Sequence, residues 1–304
     1  MNPRELKEAY KYCESVTKEH AKSFYFANKF LPKDKQKAVY ALYALCRNVD
    51  DEVDEAEVRS EAEAIRAVEI WQAKLNEVYE GKIQHSTFKI QSSEPEILNS
   101  ELVFIAWEDM LRQHEIPQEI PLDLMKGVLM DTHKNRYETF EELYVYCYRV
   151  ASTVGLMSSE ILGYSDKSAL EFAEALGIAM QLTNILRDVK EDAEMNRIYL
   201  PQEDLKKFCV SEDQIFANKI DGNFIEMMKF QIQRARHFYK KGEKGIPLLE
   251  KDARFCVLLA SRIYGQILNE IEKQNFNVFK QRAFTTKSQK LLSVPKIWRE
   301  ARNL

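Results

Sequence analysis

The stretch "AVYALYALCRNVDDEVDEAE", residues 38 to 57, passes from an apolar helix into a run of acids without changing its period. Val39, Leu42, Tyr43, Cys46, Val49 and Val53 recur at spacings of three and four, the stripe of a helix that faces a core. The helix starts near Pro32, a residue suited to a first turn. One edge of the stripe runs Tyr43, Arg47, Asp50, Asp54 and turns from aromatic to ionic on the same side. Six acidic side chains crowd the positions from Arg47 to Glu57, and the ordinary reading of such a run is a solvated face. Glu52, Glu55 and Glu57 fit that reading. Asp50 and Asp54 do not, because they lie one turn apart on the inward edge and their carboxylates reach the same point. An inward acidic pair needs a cation. Arg47 offers one, and metal ions offer more.

A second polar line has the same logic. "ALGIAMQLTNILRDVKEDAEMNRIYLP", residues 175 to 201, reads as an apolar helix threaded by Gln181, Asn184, Asp188 and Asp192. Ile178, Leu182, Ile185 and Val189 form a separate apolar line. Gln181 alone would be a hydrogen-bonded core residue, but the set of four goes beyond that. Two aspartate pairs 138 residues apart make a carboxylate box for a hard divalent cation, and magnesium suits oxygen donors and substrate phosphates. The rival box, a di-iron bundle, needs Glu-x-x-His pairs. None of His20, His85, His114, His133 and His237 has a Glu three residues before it.

The rest of the chain sets the frame. Only 9 Gly and 8 Pro among 304 residues leave little material for all-β turns, and no proline falls between Pro121 and Pro201. Nearly every segment reads with a helical period, so the expected fold is a single all-α domain over residues 1 to 304. The polar stretch 81 to 100 reads as a loop, with further breaks at Pro117, Pro121, 163–166, 221–223 and 241–247. A net charge of −4 gives no general attraction to nucleic acid. The longest apolar runs are about a dozen residues, too short for a membrane span. The N-terminus lacks the apolar region of a signal peptide, and the five widely spaced cysteines read as reduced thiols, so the expected place is the cytoplasm.

Taken together, these motifs resemble the squalene and phytoene synthase family. Arg47, Asp50, Asp51 and Asp54 match its RxxDDxxD motif, and "QLTNILRDVKEDAEMNRIYLP" matches its second motif, with Lys190 where glycine is common. "HAKSF" (20 to 24) is similar to the family's substrate flap. "YCYRVASTVGLMSSEILGY" (146 to 164) is similar to its central helix, with Arg149 and Ser152 as departures. The likeness runs from about residue 10 to about residue 285, with five motifs in order.

What the resemblance implies is an isoprenoid synthase fold around a central cavity, and head-to-head condensation of two prenyl diphosphates. It implies magnesium, or manganese in its place, on Asp50, Asp54, Asn184, Asp188 and Asp192. Substrate would be bound by His20, Lys22, Ser23, Phe24, Tyr43, Arg47, Gln181, Asn184, Arg187 and Arg282, with Tyr146 and Tyr264 beside the reacting centre. The product is phytoene from geranylgeranyl diphosphate in one reading, and squalene or dehydrosqualene from farnesyl diphosphate in the other. NADPH enters only for squalene. Asn28 and Tyr40 favour phytoene if they line the cavity's far end. A non-catalytic relative is the remaining alternative, and intact aspartates in both motifs argue against it. The tail 280 to 304 carries seven Lys or Arg against one Glu, interspersed with Phe284, Leu291, Leu292, Ile297 and Trp298. It reads as an ordinary basic helix end or as a peripheral contact with anionic lipid. The sequence leaves the oligomeric state open.

Overall fold

The computed structural model describes residues 2–54, 61–81 and 95–304. Among them are fifteen α-helices and no strand, only two isolated bridges, Arg136 with Ile198 and Tyr164 with Leu249. The helices are α1 (Pro3–His20), α2 (Lys22–Asn28), α3 (Lys33–Asp54), α4 (Glu61–Tyr79), α5 (Pro95–Leu111), α6 (Glu119–Met130), α7 (Phe140–Cys147) and α8 (Thr153–Leu162). They continue as α9 (Ala169–Arg187), α10 (Val189–Glu194), α11 (Gln202–Lys207), α12 (Glu212–Phe216), α13 (Gly222–Glu243), α14 (Lys251–Lys273) and α15 (Lys287–Ala301).

Local chemistry accounts for many of the boundaries. Pro32 immediately precedes α3, as its sequence suggests. The Asp221 side chain accepts from the Phe224 amide at 3.0 Å and starts α13. Thr286 and Gln289 form a reciprocal capping box at the head of α15. Gly163, at a φ of 77°, ends α8 in a conformation that side chains other than glycine's rarely adopt. Three expectations change, the first at Pro121, which sits in the first turn of α6 and makes no break. The polar stretch 81 to 100 is helical from Pro95 onward, since a proline loses nothing at a helix's first position; residues 82–94 lie outside the described residues. The 175 to 201 segment is not one helix, because α9 stops at Arg187 and α10 restarts after Asp188.

The buried apolar side chains fall into two clusters. One gathers α1, α3, α4, α5 and α6, with Leu42, Leu45, Phe104 and Trp107 fully enclosed. The other gathers α7 and α9 to α13, with Tyr137, Phe224 and Met228 at its centre. Between them α7 runs through a single π turn, Tyr148–Ser152, into α8. There α9 crosses so closely that a Cβ on Gly177 would lie 2.5 Å from the Ser152 Cα. A π turn adds a residue to the helical period and so rotates α8 against α7. Val150, Ala151 and Val154 thereby face a cavity between the two clusters.

Candidate active site

That cavity has a volume of about 890 Å³ and is walled by α2, α3, the π turn, α8, α9, α14 and the segment leading into α15. Along α9 its lining changes character. Phe172, Ala173, Leu176, Gly177 and Met180 are apolar or small, and Gln181, Asn184 and Arg187 follow on the same face. The periodicity of one amphipathic helix thus gives the cavity a greasy length and a polar end.

The polar end is one connected network. Tyr264 on α14 donates its hydroxyl to the Asn184 carboxamide oxygen, and Asn184 Nδ2 donates to Gln181 Oε1 at 3.0 Å. Arg187 Nη1 donates to the Tyr264 hydroxyl at 3.2 Å, while its Nε and Nη2 donate to Asp188 at 2.7 and 2.5 Å. Arg282 grips the same carboxylate from the other side. Burial works against the charge on Asp188, yet the two guanidinium groups outweigh it and hold the carboxyl below its usual range. Asp192 has the opposite fate. Burial first, and then the charge of Asp188, push its carboxyl up to about 8, against the relief that Arg197 offers. Two bonds flank the break, from Asp188 N–H to the Asn184 carbonyl at 2.8 Å and from Asp192 N–H to that of Asp188 at 2.9 Å. The three side chains keep a one-turn spacing as a result.

Of the other residues named from the sequence, His20, Lys22, Ser23, Phe24 and Tyr43 line the cavity together with Arg282. Phe24 and Tyr43 face each other with ring centroids 5.9 Å apart. One turn on from Tyr43, Arg47 pairs with Asp50 at 3.2 Å and with Asp51. Asp54 is the last residue of α3, and its side chain lies outside the described residues. Lys190, the departure within the second motif, pairs on the surface with Glu194 at 3.7 Å.

Several placements differ from expectation, Arg47 among them, since it is not among the cavity-lining residues. Tyr146 is not among the cavity-lining residues; it is buried and donates to Asp131 Oδ2 at 2.8 Å, beside Tyr199, which donates to Oδ1 at 2.8 Å. Asn28 lines the cavity, but Tyr40 lies behind its wall against Tyr25, ring centroids 5.6 Å apart. Glu52 is not a solvated acid, since it accepts the Trp71 indole N–H at 3.1 Å and is half-buried; Glu55 and Glu57 lie outside the described residues. Two functional candidates carried no sequence signal: Asp131, a lone acid in a polar connection, and Lys290, which turns into the cavity from α15. Burial and then the nearby charge of Lys22 depress the Lys290 ammonium, so two cations share that side of the cavity.

Comparison with known proteins returns a consistent picture. Residues 17–289 match the family model described as squalene/phytoene synthase. The chain is 38% identical over 311 residues to the 15-cis-phytoene synthase of Synechocystis sp., covering 98% of this chain and 87% of that protein. It is 38% identical over 296 residues to phytoene synthase 2, chloroplastic, of Solanum lycopersicum, covering 95% and 90%. A crystal structure of a dehydrosqualene synthase in complex with ligand superposes with a TM-score of 0.87 at 29% identity, covering 99% of each chain.

Proposed function

This chain belongs to the squalene/phytoene synthase family, and we propose that it joins two molecules of geranylgeranyl diphosphate head to head, through a cyclopropyl diphosphate, into phytoene. One observation carries the reading: a cavity of about 890 Å³ whose apolar wall along α9 ends in the network of Gln181, Asn184, Arg187 and Tyr264. Such a space suits a long hydrocarbon with an anionic head, and each methylene it buries contributes about 0.8 kcal/mol only where it fits.

A magnesium requirement is part of the proposal. The residues that would hold the ion are Asp50, Asp54, Asn184, Asp188 and Asp192, all oxygen donors. Among the described residues no three carboxylates, imidazoles or thiolates gather at one point. The fit rests on the donor set, five oxygen-bearing side chains with Asn184, Asp188 and Asp192 at one-turn spacing, and a cation beside the buried Asp192 would relieve its carboxylate. Held by these residues, magnesium would supply positive charge to neutralise a departing diphosphate.

The chain's own residues do the rest. Arg187 and Arg282 offer forked donors to phosphate oxygens, with Lys22, Ser23 and Lys290 along the same cavity and Arg47 beside the first motif. Breaking the allylic C–O bond leaves an allyl cation. The double bond of the second substrate attacks it, a proton departs, and the cyclopropane closes. Phe24 and Tyr43 line that cavity and offer it aromatic rings, and the apolar wall would keep water from the cation. Tyr264 fixes the Asn184 carboxamide so that its oxygen stays aimed at the polar end. A second ionisation and rearrangement follow, and loss of a proton ends the sequence without a reductant. Squalene would need a hydride, and therefore NADPH.

We further propose that the chain is one domain and acts in the cytoplasm. All five cysteines are unpaired, which supports a reducing compartment, and among the described residues no helix is long and apolar enough to cross a membrane. The deciding experiment incubates the protein with farnesyl or geranylgeranyl diphosphate, each with and without NADPH, and identifies the hydrocarbons by mass. Phytoene from the longer substrate without NADPH is the expected result. Squalene only from farnesyl diphosphate with NADPH would replace it, and no hydrocarbon under any condition would favour a non-catalytic role.

A further inference from the structure

Large apolar side chains on this surface are unevenly spread. Of the ten that are exposed among the described residues, Phe284, Leu291, Leu292, Trp298 and Leu304 all fall at the C-terminal end. α15 buries Ile297 and anchors Ser293 to Gln266, whose Nε2 donates to the Ser293 hydroxyl at 2.9 Å. Its opposite face shows Leu291 at 61% and Leu292 at 79% exposure, followed about two and three turns later by the exposed cations Arg299 and Arg302. The one acid of the tail, Glu300, already faces Arg262 at 3.7 Å.

This face adjoins the cavity. Phe284 lines the cavity while 56% exposed, so it stands at an opening. Lys290 points into the same cavity, one residue before Leu291 points out of the molecule. We propose that α15 is a membrane-docking helix: Leu291, Leu292 and Phe284 enter the outer layer of an anionic bilayer, the flanking cations settle among its headgroups, and the cavity mouth opens on the lipid.

Charge decides the occupant. Seven Lys or Arg against one Glu between 280 and 304 complement an anionic lipid surface. A second copy of the chain would bring the same basic face against itself across a two-fold axis, where like charges repel. The depth also agrees, because a prenyl diphosphate in a bilayer holds its charge at headgroup level, where Arg282 and Lys290 would lie. That last point rests on the proposed function; the docking itself does not, and it is tested without substrate.

The test floats the full chain with vesicles of phosphatidylcholine alone or with about one-third phosphatidylglycerol, at low and high salt. Wild type should float with the anionic vesicles, and salt should weaken the association. Leu291→Ser with Leu292→Ser should weaken it at least about tenfold, with unchanged melting and unchanged turnover of detergent-dispersed substrate. Arg299→Glu with Arg302→Glu should abolish the preference for anionic vesicles. Wild type that stays unbound, or a double-serine variant that floats like wild type, overturns the proposal. So does a wild-type dimer in sedimentation that the double-serine variant splits.

Discussion

Arg282 holds Asp188 side-on, with its Nε 2.7 Å from Oδ1 and its Nη2 2.9 Å from Oδ2, bridging 94 residues of chain. This places a guanidinium fork at the second aspartate motif that a lysine cannot reproduce. Arg282→Lys should lower the rate of diphosphate release about tenfold and Arg282→Ala about a hundredfold, read as pyrophosphate in steady state. A lysine variant as fast as wild type would count against the fork.

The two motifs should separate cleanly from their neighbours. Asp50→Asn and Asp188→Asn should each abolish turnover, and a chelator should do the same until magnesium is restored. Undiminished turnover in either variant refutes the assignment. Glu52→Gln should keep turnover within about twofold while costing about 1 kcal/mol of stability in denaturant titration, because it weakens the bond from the Trp71 indole. Replacing Glu57 should change neither.

Tyr146 and Tyr199 share the Asp131 carboxylate, so Tyr146→Phe removes one of its two phenol donors. The expected cost is about 1–2 kcal/mol of stability with a small loss of kcat. A hundredfold fall in kcat at unchanged melting temperature would instead assign the Tyr146 hydroxyl to the reaction.

Asp192 gives a pH signature. With its carboxyl pushed up to about 8 in the fold and near 3.8 when free, the metal-free folded state holds a proton that the unfolded chain has released. Stability from this group is fully present below 3.8 and is lost as pH rises through about 8. The slope is at most about 1.4 kcal/mol per pH unit. Denaturant titrations between these limits should show a decline with pH in wild type that Asp192→Asn lacks. Equal slopes in the two proteins would mean that Asp192 ionises normally.

Much of this was legible in the amino-acid order, and what was not has a physical reason in each case. The helical period of α3 was readable because Tyr43, Arg47 and Asp50 follow it through an unbroken helix, although of the three only Tyr43 lines the cavity and the Asp50 side chain stays 45% exposed. The stop at Arg187 was not, because neither glycine nor proline marks it and the apolar period runs on from Ile185 to Val189. The resemblance sets Tyr146 beside the cavity, but the π turn at Tyr148–Ser152 rotates the helix between them and delivers Tyr146 to Asp131. Glu52 looks like its acidic neighbours until Trp71, on another helix, reaches it. Contacts between helices are not written in the period of either.

The pairing of Asp188 with Arg187 and Arg282, and of Arg47 with Asp50 and Asp51, has a thermodynamic consequence. Within the chain these charges answer one another. A divalent cation that takes Asp188 leaves two guanidinium groups short of an anion, and a diphosphate that takes the guanidinium groups leaves Asp188 short of a cation. Each ligand thus prepares the place of the other, and linkage requires the gain in affinity to be equal in both directions. On the proposed reading, metal and substrate would be heterotropic partners, and neither affinity would be a constant unless the concentration of the other were fixed.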